Sequence, residues 1–221
     1  MIIRKNFFGA METVGVFIAA TDTYFLYPPI LKRKASSELE EAFGVKGTPT
    51  TIGNGRVIGA YVAGNSRGML VPGIIMPEEM DKLQNAYPDV KIGVIDSLDN
   101  ALGNLVLCND KGAVISFKLQ DFKQLISDTL GVPVRVGKFG GTDLVGSAGL
   151  ANDSGAVIHP LANDADCESI SEVLSVPVDI STVNCGIPYV GACAVVNNRA
   201  LVVGKETTGP ELQRLSQMLN L

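Results

Sequence analysis

Apolar residues along this chain come as pairs of short runs. Each pair is split by a polar turn and followed by a stretch with helical spacing. Residues 103–116, GNLVLCNDKGAVIS, show the unit: one apolar run enters Asn-Asp-Lys-Gly and a second leaves it. The same beats open at Gly15, Gly59, Gly103, Gly146 and Gly191, at intervals of 44, 44, 43 and 45 residues. Self-similarity at a fixed period marks a repeat architecture. Six residues after each glycine stands Thr21, Asn65, Asn109, Asn152 or Asn197, and the second run reads FLY, MLV, AVI, AVI or LVV. Two short apolar runs around a tight turn predict a β-hairpin in every repeat.

In three repeats the turn reads Asn65-Ser-Arg-Gly68, Asn109-Asp-Lys-Gly112 or Asn152-Asp-Ser-Gly155. Asparagine in first place can hold the turn through its side chain, and glycine in fourth place is expected to accept a left-handed backbone. Tyr24 and Ala200 stand in that fourth place in the outer repeats. Either those turns differ in geometry, or Asn198 takes the unusual conformation.

After each hairpin the spacing predicts a helix. Its apolar face carries Ala35, Leu39, Ala42 and Phe43 in the first repeat, and Met80, Leu83 and Tyr87 in the second. Leu119, Phe122, Leu125, Ile126 and Leu130 mark the third, and Cys167, Ile170, Val173 and Leu174 the fourth. Leu212, Leu215, Met218 and Leu219 mark the fifth. Ser37-x-x-Glu40 and Thr208-x-x-Glu211 read as capping boxes, and Pro77 and Pro210 suit a first helical position. A third strand is expected over Val45–Ile52, Val90–Ile95, Val132–Val136 and Val176–Ile180.

The fifth repeat runs out of chain after its helix. Ile2-Ile3 lies 13 residues before Gly15, while the other third strands begin 14, 13, 14 and 15 residues before the next opening glycine. The N-terminal strand is therefore expected to complete the fifth repeat and close a ring of five ββαβ units with pseudo-fivefold symmetry. Closure leaves no exposed sheet end. Ala20, Gly64, Cys108, Ala151 and Val196, each five residues after its opening glycine, are all small, as a crowded axis would require.

Composition narrows the function. The 221 residues carry 18 Lys plus Arg and 23 Asp plus Glu, a net charge of −5. A phosphate-binding chain usually has a basic surplus, so a basic protein or a small molecule is the more natural partner. Four cysteines without a CxxC pair and a single histidine argue against a structural zinc site. No phosphate loop, dinucleotide fingerprint or paired-carboxylate motif is present, so no cofactor and no metal are expected. Glu12 and Thr13 interrupt the N-terminal apolar stretch, which therefore reads neither as a signal peptide nor as a membrane span. A soluble, cytoplasmic, monomeric protein is expected, with residues 1–221 forming one domain.

Several long phrases carry a resemblance. They are Gly64-Asn-Ser-Arg-Gly-Met-Leu-Val-Pro72, Ala101-Leu-Gly-Asn-Leu-Val-Leu-Cys-Asn-Asp110, Val157-Ile-His-Pro160, Val183-Asn-Cys-Gly186, Gly191–Asn197 and Thr207-Thr-Gly-Pro-Glu-Leu212. Together they make essentially the whole chain similar to the translation initiation factor 6 family in its archaeal form. The resemblance implies the α/β pentein fold, a five-bladed β/α propeller, in agreement with the independent repeat count. It also implies binding to the intersubunit face of the large ribosomal subunit, which blocks joining of the small one, and a part in large-subunit maturation. Ser116 and Gly204 depart from the prolines at Pro28 and Pro72 of the first two repeats, and no long tail follows Leu221.

The family's binding face lies at one end of the propeller, and the resemblance carries it onto Gly15, Ala60, Asn65 and Asn104. Asn65 and Gly15 have equally good structural explanations as a turn former and a backbone necessity. Asn104 is more telling, because the equivalent residues are Val16, Ala60, Ser147 and Ala192. Basic ribosomal proteins are the expected partner. Lys32-Arg33-Lys34, the one compact basic run, is expected to form a solvated face or to touch adjacent ribosomal RNA.

The competing class is an enzyme. Other pentein proteins modify guanidinium groups through a cysteine nucleophile assisted by histidine and carboxylates, chemistry that needs a thiolate near a base. Here His159 is the only histidine, and Cys108 and Cys193 lie within apolar runs where an inert thiol is the default.

Overall fold

Each predicted hairpin forms, but its first apolar run is shared between two elements. In the computed structural model, which describes residues 1–9 and 11–221, every opening glycine sits in a four-residue helix. These are α1 (Val14–Phe17), α3 (Ile58–Tyr61), α5 (Leu102–Leu105), α7 (Val145–Ala148) and α9 (Val190–Cys193). Only the second half of each run is strand: β2 (Ala19–Ala20), β5 (Ala63–Gly64), β8 (Val106–Cys108), β11 (Gly149–Ala151) and β14 (Ala194–Val196).

The returning strands are β3 (Phe25–Tyr27), β6 (Gly68–Pro72), β9 (Ala113–Ile115), β12 (Ala156–Ile158) and β15 (Leu201–Val203). Each is the middle of a three-stranded sheet, antiparallel to the strand before it and parallel to a third strand. Those third strands are β4 (Gly47–Pro49), β7 (Lys91–Ile95), β10 (Val134–Val136) and β13 (Val178–Ile180). Covered on both faces, the middle strands read as unbroken apolar runs instead of alternating ones. The fifth sheet takes its third strand from the N-terminus: β1 (Ile2–Arg4) pairs in parallel with β15, with Ile2 opposite Leu201 and Arg4 opposite Val203.

The long helices are α2 (Arg33–Phe43), α4 (Pro77–Ala86), α6 (Lys123–Leu130), α8 (Asp164–Leu174) and α10 (Gly209–Leu219). The result is a mixed α/β fold of five small sheets. Its hydrophobic clusters lie between consecutive units. One joins Leu107 and Val114 of the third to Ile158 and Ile170 of the fourth. Another joins Ile3 and Val195 of the fifth to Val14 and Phe43 of the first.

Four local expectations fail. Glycines 68, 112 and 155 are absent from the positive-φ residues, as is Asn198. These glycines are needed for close approach: a Cβ would collide with the carbonyl of Thr129, Val173 or Met218 on the following unit's helix. Left-handed backbone appears instead at the helix ends, at Gly44, Gly131, Ser175 and Asn220. Ser37 lies inside α2, which starts four residues earlier with Lys32 as N-cap, so Ser37-x-x-Glu40 caps nothing. The third helical stretch begins as a 3₁₀ segment over Phe117–Phe122, which rotates Leu125 outward to 41% exposure. The strand expected over Val45–Ile52 shrinks to Gly47–Pro49.

Candidate binding surfaces at the two ends of the molecule

The opening glycines allow the five units to meet. A Cβ on Gly59 would collide with the Gly15 carbonyl, one on Gly103 with Gly59, one on Gly146 with Gly103, and one on Gly191 with Gly146. One on Gly15 would collide with the Gly191 carbonyl, so the same contact joins the last short helix to the first. No larger residue fits any of these places. The small residues Ala20, Gly64, Cys108, Ala151 and Val196 line the space inside this collar, where the central cavity measures about 120 Å³.

Ala60 and Asn104 each directly follow a collar glycine, so the structure gathers Gly15, Ala60 and Asn104 on adjoining short helices. The Asn104 amide makes no side-chain hydrogen bond among the described residues, although its backbone N–H donates to Ala101 O at 2.9 Å. A half-buried amide with unused donors and acceptor is available to a partner.

Asn65 lies elsewhere, in the hairpin turn at the far end of β5. It is 3% exposed and fully engaged. Its Oδ1 accepts from the N–H groups of Arg67 and Gly68, and its Nδ2 donates to Asn109 O and Leu130 O at 3.2 and 3.0 Å. Asn109 and Asn152 repeat this pattern toward the next unit, and Asn197 donates to Thr21 O and Phe43 O of the first. The four asparagines are thus clamps between units. In the fifth place Thr21 has no amide, and Tyr24 and Tyr87 fill the interface instead, with Tyr87 Oη donating to Phe25 O.

The residue after each clamp forms a second relay. Ser66 N–H donates to Asp110, Asp110 N–H to Asp153, Asp153 N–H to Asn198 Oδ1, and Asn198 N–H to Asp22. Asp22, Asp110 and Asp153 bring carboxylate oxygens within 4.8 Å of one another, the one grouping among the described residues that a divalent ion could bridge. Burial, together with the charges of Asp153 and Asp110, raises the Asp22 pKa against the opposing Asn198 bonds. The sequence signal for this relay was a polar residue directly after the clamp in all five repeats.

Back at the short-helix end, the loops after the third strands are tied down by acids at the third position of the next long helix. Glu79 accepts from Gly53 and Asn54 N–H, Asp166 from Gly140, and Glu211 from Cys185 and Gly186. Burial would raise the Glu211 pKa, but bonds from Thr208, Thr182 and Gly186 outweigh it and lower the value to about 2. Glu79 is lowered in the same way. Asn163 and Asp166 form a full capping box that the sequence reading missed, and Glu79 supplies the acid half of another.

Lys32, Arg33 and Lys34 start α2 at this same end and are exposed. Three of the four thiols are poorly disposed to react, whereas Cys185 is exposed. Burial, with help from Asp110, pushes Cys108 up to about 12, and burial pushes Cys193 up to about 11. Burial also raises Cys167, with the Asp179 charge adding to it. His159 packs edge-on against Tyr189, accepts from Leu161 N–H through Nδ1, and is driven toward its neutral form by burial. Among the described residues, no helix is long and apolar enough to cross a membrane.

Residues 2–218 match the sequence model of the eIF-6 family. The chain is 38% identical to translation initiation factor 6 of Methanocaldococcus jannaschii, covering 100% of this chain and 99% of that one. It is 37% identical to the factor of Pyrococcus abyssi over the whole of both chains, and 36% identical to that of Methanococcus vannielii over 100% and 99%.

Proposed function

The chain belongs to the eIF-6 family, and from that premise we propose that it is a translation initiation factor acting as a non-catalytic steric block. It binds the large ribosomal subunit, prevents joining of the small one, and also acts in large-subunit maturation, in the cytoplasm and as a monomer. Its five units form a closed pentein propeller, with the short-helix end as the docking face. Full-length similarity to proteins named translation initiation factor 6 carries this reading.

Blocking of this kind needs only occupancy. A body docked where the other subunit must land disfavours joining by RT ln(1 + [factor]/Kd), about 2.7 kcal/mol at a hundredfold excess over Kd. A rigid, preorganised ring suits the task because it loses little entropy on docking. The net charge of −5 favours encounter with basic ribosomal proteins. Lys32, Arg33 and Lys34 stand ready for adjacent ribosomal RNA at the edge of the contact. Burial that holds the thiols of Cys108, Cys167 and Cys193 neutral fits this reading.

The test is sedimentation of the purified protein with separated archaeal subunits. Co-migration with the large subunit and loss of whole ribosomes are expected. Undiminished joining at saturating protein contradicts the reading.

A further inference from the structure

The five junctions between a loop and the next long helix are not alike. At the third helical position three carry an acid that grips the loop: Glu79, Asp166 and Glu211. The third unit has Leu119 at the third position of the 3₁₀ segment that leads into α6, fully buried. The first unit has Ala35, and at Ala35 a groove of about 760 Å³ opens between residues 5–9 with Met11 on one side and the start of α2 on the other.

This groove combines two surfaces that rarely occur together by accident. Its walls are apolar: Phe8 stacks on Phe17 at 4.4 Å between centroids, while Met11 and Ile30 are 55% and 62% exposed. Its rim is cationic, with Lys5, Lys32, Lys34 and Arg56. The first turn of α2 contains no acidic residue, and Lys32 gives it no side-chain cap. Cations beside the positive end of an eleven-residue helix oppose its dipole, an arrangement that favours an incoming anion. Asn6, on the same wall, accepts from Lys205 N–H, and its Nδ2 is a buried donor without a partner among the described residues. Lys5 does reach α2, but at exposed Glu38 in the second turn, away from the helix start.

We propose that this groove is a docking site for a partner polypeptide segment that carries a carboxylate beside an aromatic or aliphatic side chain. The carboxylate takes the place that Glu79, Asp166 and Glu211 fill within the chain, at the start of α2 over Ala35. The apolar side chain lies on Phe8, Met11 and Ile30. An RNA strand fits less well, because the place over Ala35 is the one that Glu79, Asp166 and Glu211 fill with a carboxylate elsewhere in the chain. The inference goes beyond large-subunit binding and does not require it.

Fluorescence anisotropy tests this with three labelled probes: a dodecapeptide of Glu, Asp, Phe and Leu, its counterpart with Lys replacing the acids, and oligouridylate. The acidic peptide is expected to bind with a Kd below about 100 µM. Ala35→Glu rebuilds the internal clamp, so it should weaken that binding at least about tenfold while leaving Tm unchanged or raised. Lys34→Glu, at an exposed position, should weaken it by a similar factor of about ten through charge alone. Asn104→Arg should leave it unchanged. Failure of the acidic peptide to bind, undiminished binding to either groove variant, or preference for the lysine peptide or the oligonucleotide each overturns the proposal.

Discussion

The two ends of the molecule solve the same joining problem with different chemistry. At the hairpin-turn end, side-chain amides and carboxylates reach from one unit to the next, and nearly every donor is used. At the short-helix end the short helices themselves meet through bare backbone, glycine against glycine carbonyl, while acids tie down only the outer loops, which leaves neighbouring side chains such as Asn104 uncommitted. Residues that hold the units together are thereby separated from residues free to meet a partner. Asn65 belongs with the first group and Asn104 with the second, although both were candidates for the same surface.

The sharpest way to break this contrast is at the collar. Gly103→Ala places a methyl against the Gly59 carbonyl, and the overpacking should cost about 3 kcal/mol, seen as a lower urea midpoint. Asn109→Ala comes next. It strands the N–H groups of Lys111 and Gly112 and the carbonyls of Asn152 and Leu174, for a loss of about 2–3 kcal/mol in the same measurement. Asn104→Arg should leave the urea midpoint in place yet weaken large-subunit binding by at least about tenfold, or roughly 1.4 kcal/mol. Equal loss of folding and binding would make Asn104 structural.

The smallest effect concerns pH, where the ends respond oppositely. Glu211 is lowered from 4.5 to about 2 in the folded state, so its contribution is complete above 4.5 and disappears as pH falls toward 2. Asp22 is raised from 3.8, so its ionised form costs stability at neutral pH, and that cost is gone below 3.8. Tm measured across this acid range should fall less steeply for Glu211→Gln than for the unaltered chain. Identical slopes would show that the Glu211 bonds contribute little.

The repeat frame was legible because hydrophobic periodicity and chain length both constrain it. Five opening glycines, five hairpins and the stray N-terminal strand left one economical pairing, and Ile2 does pair with Leu201. The reasons behind individual residues were less legible. A sequence shows that Gly68 and Gly15 recur but cannot distinguish left-handed backbone from close approach, because both demand a missing Cβ. Likewise Ser37-x-x-Glu40 satisfies a capping pattern, yet the helix begins at Arg33, where the core contacts of Leu39 and Phe43 place it. Of the candidate site, the adjacency of Gly15, Ala60 and Asn104 follows from the repeat phase. The groove at Ala35 was hidden because it depends on what a single position lacks relative to its counterparts.

Site-specific photo-crosslinking to isolated large subunits tests the central claim most directly. A benzoylphenylalanine at position 60 probes the short-helix end, and one at exposed position 154 probes the turn end. Crosslinks to large-subunit components from position 60 and none from position 154 are predicted. Crosslinks from position 154 alone would place the docking face at the wrong end and contradict the account.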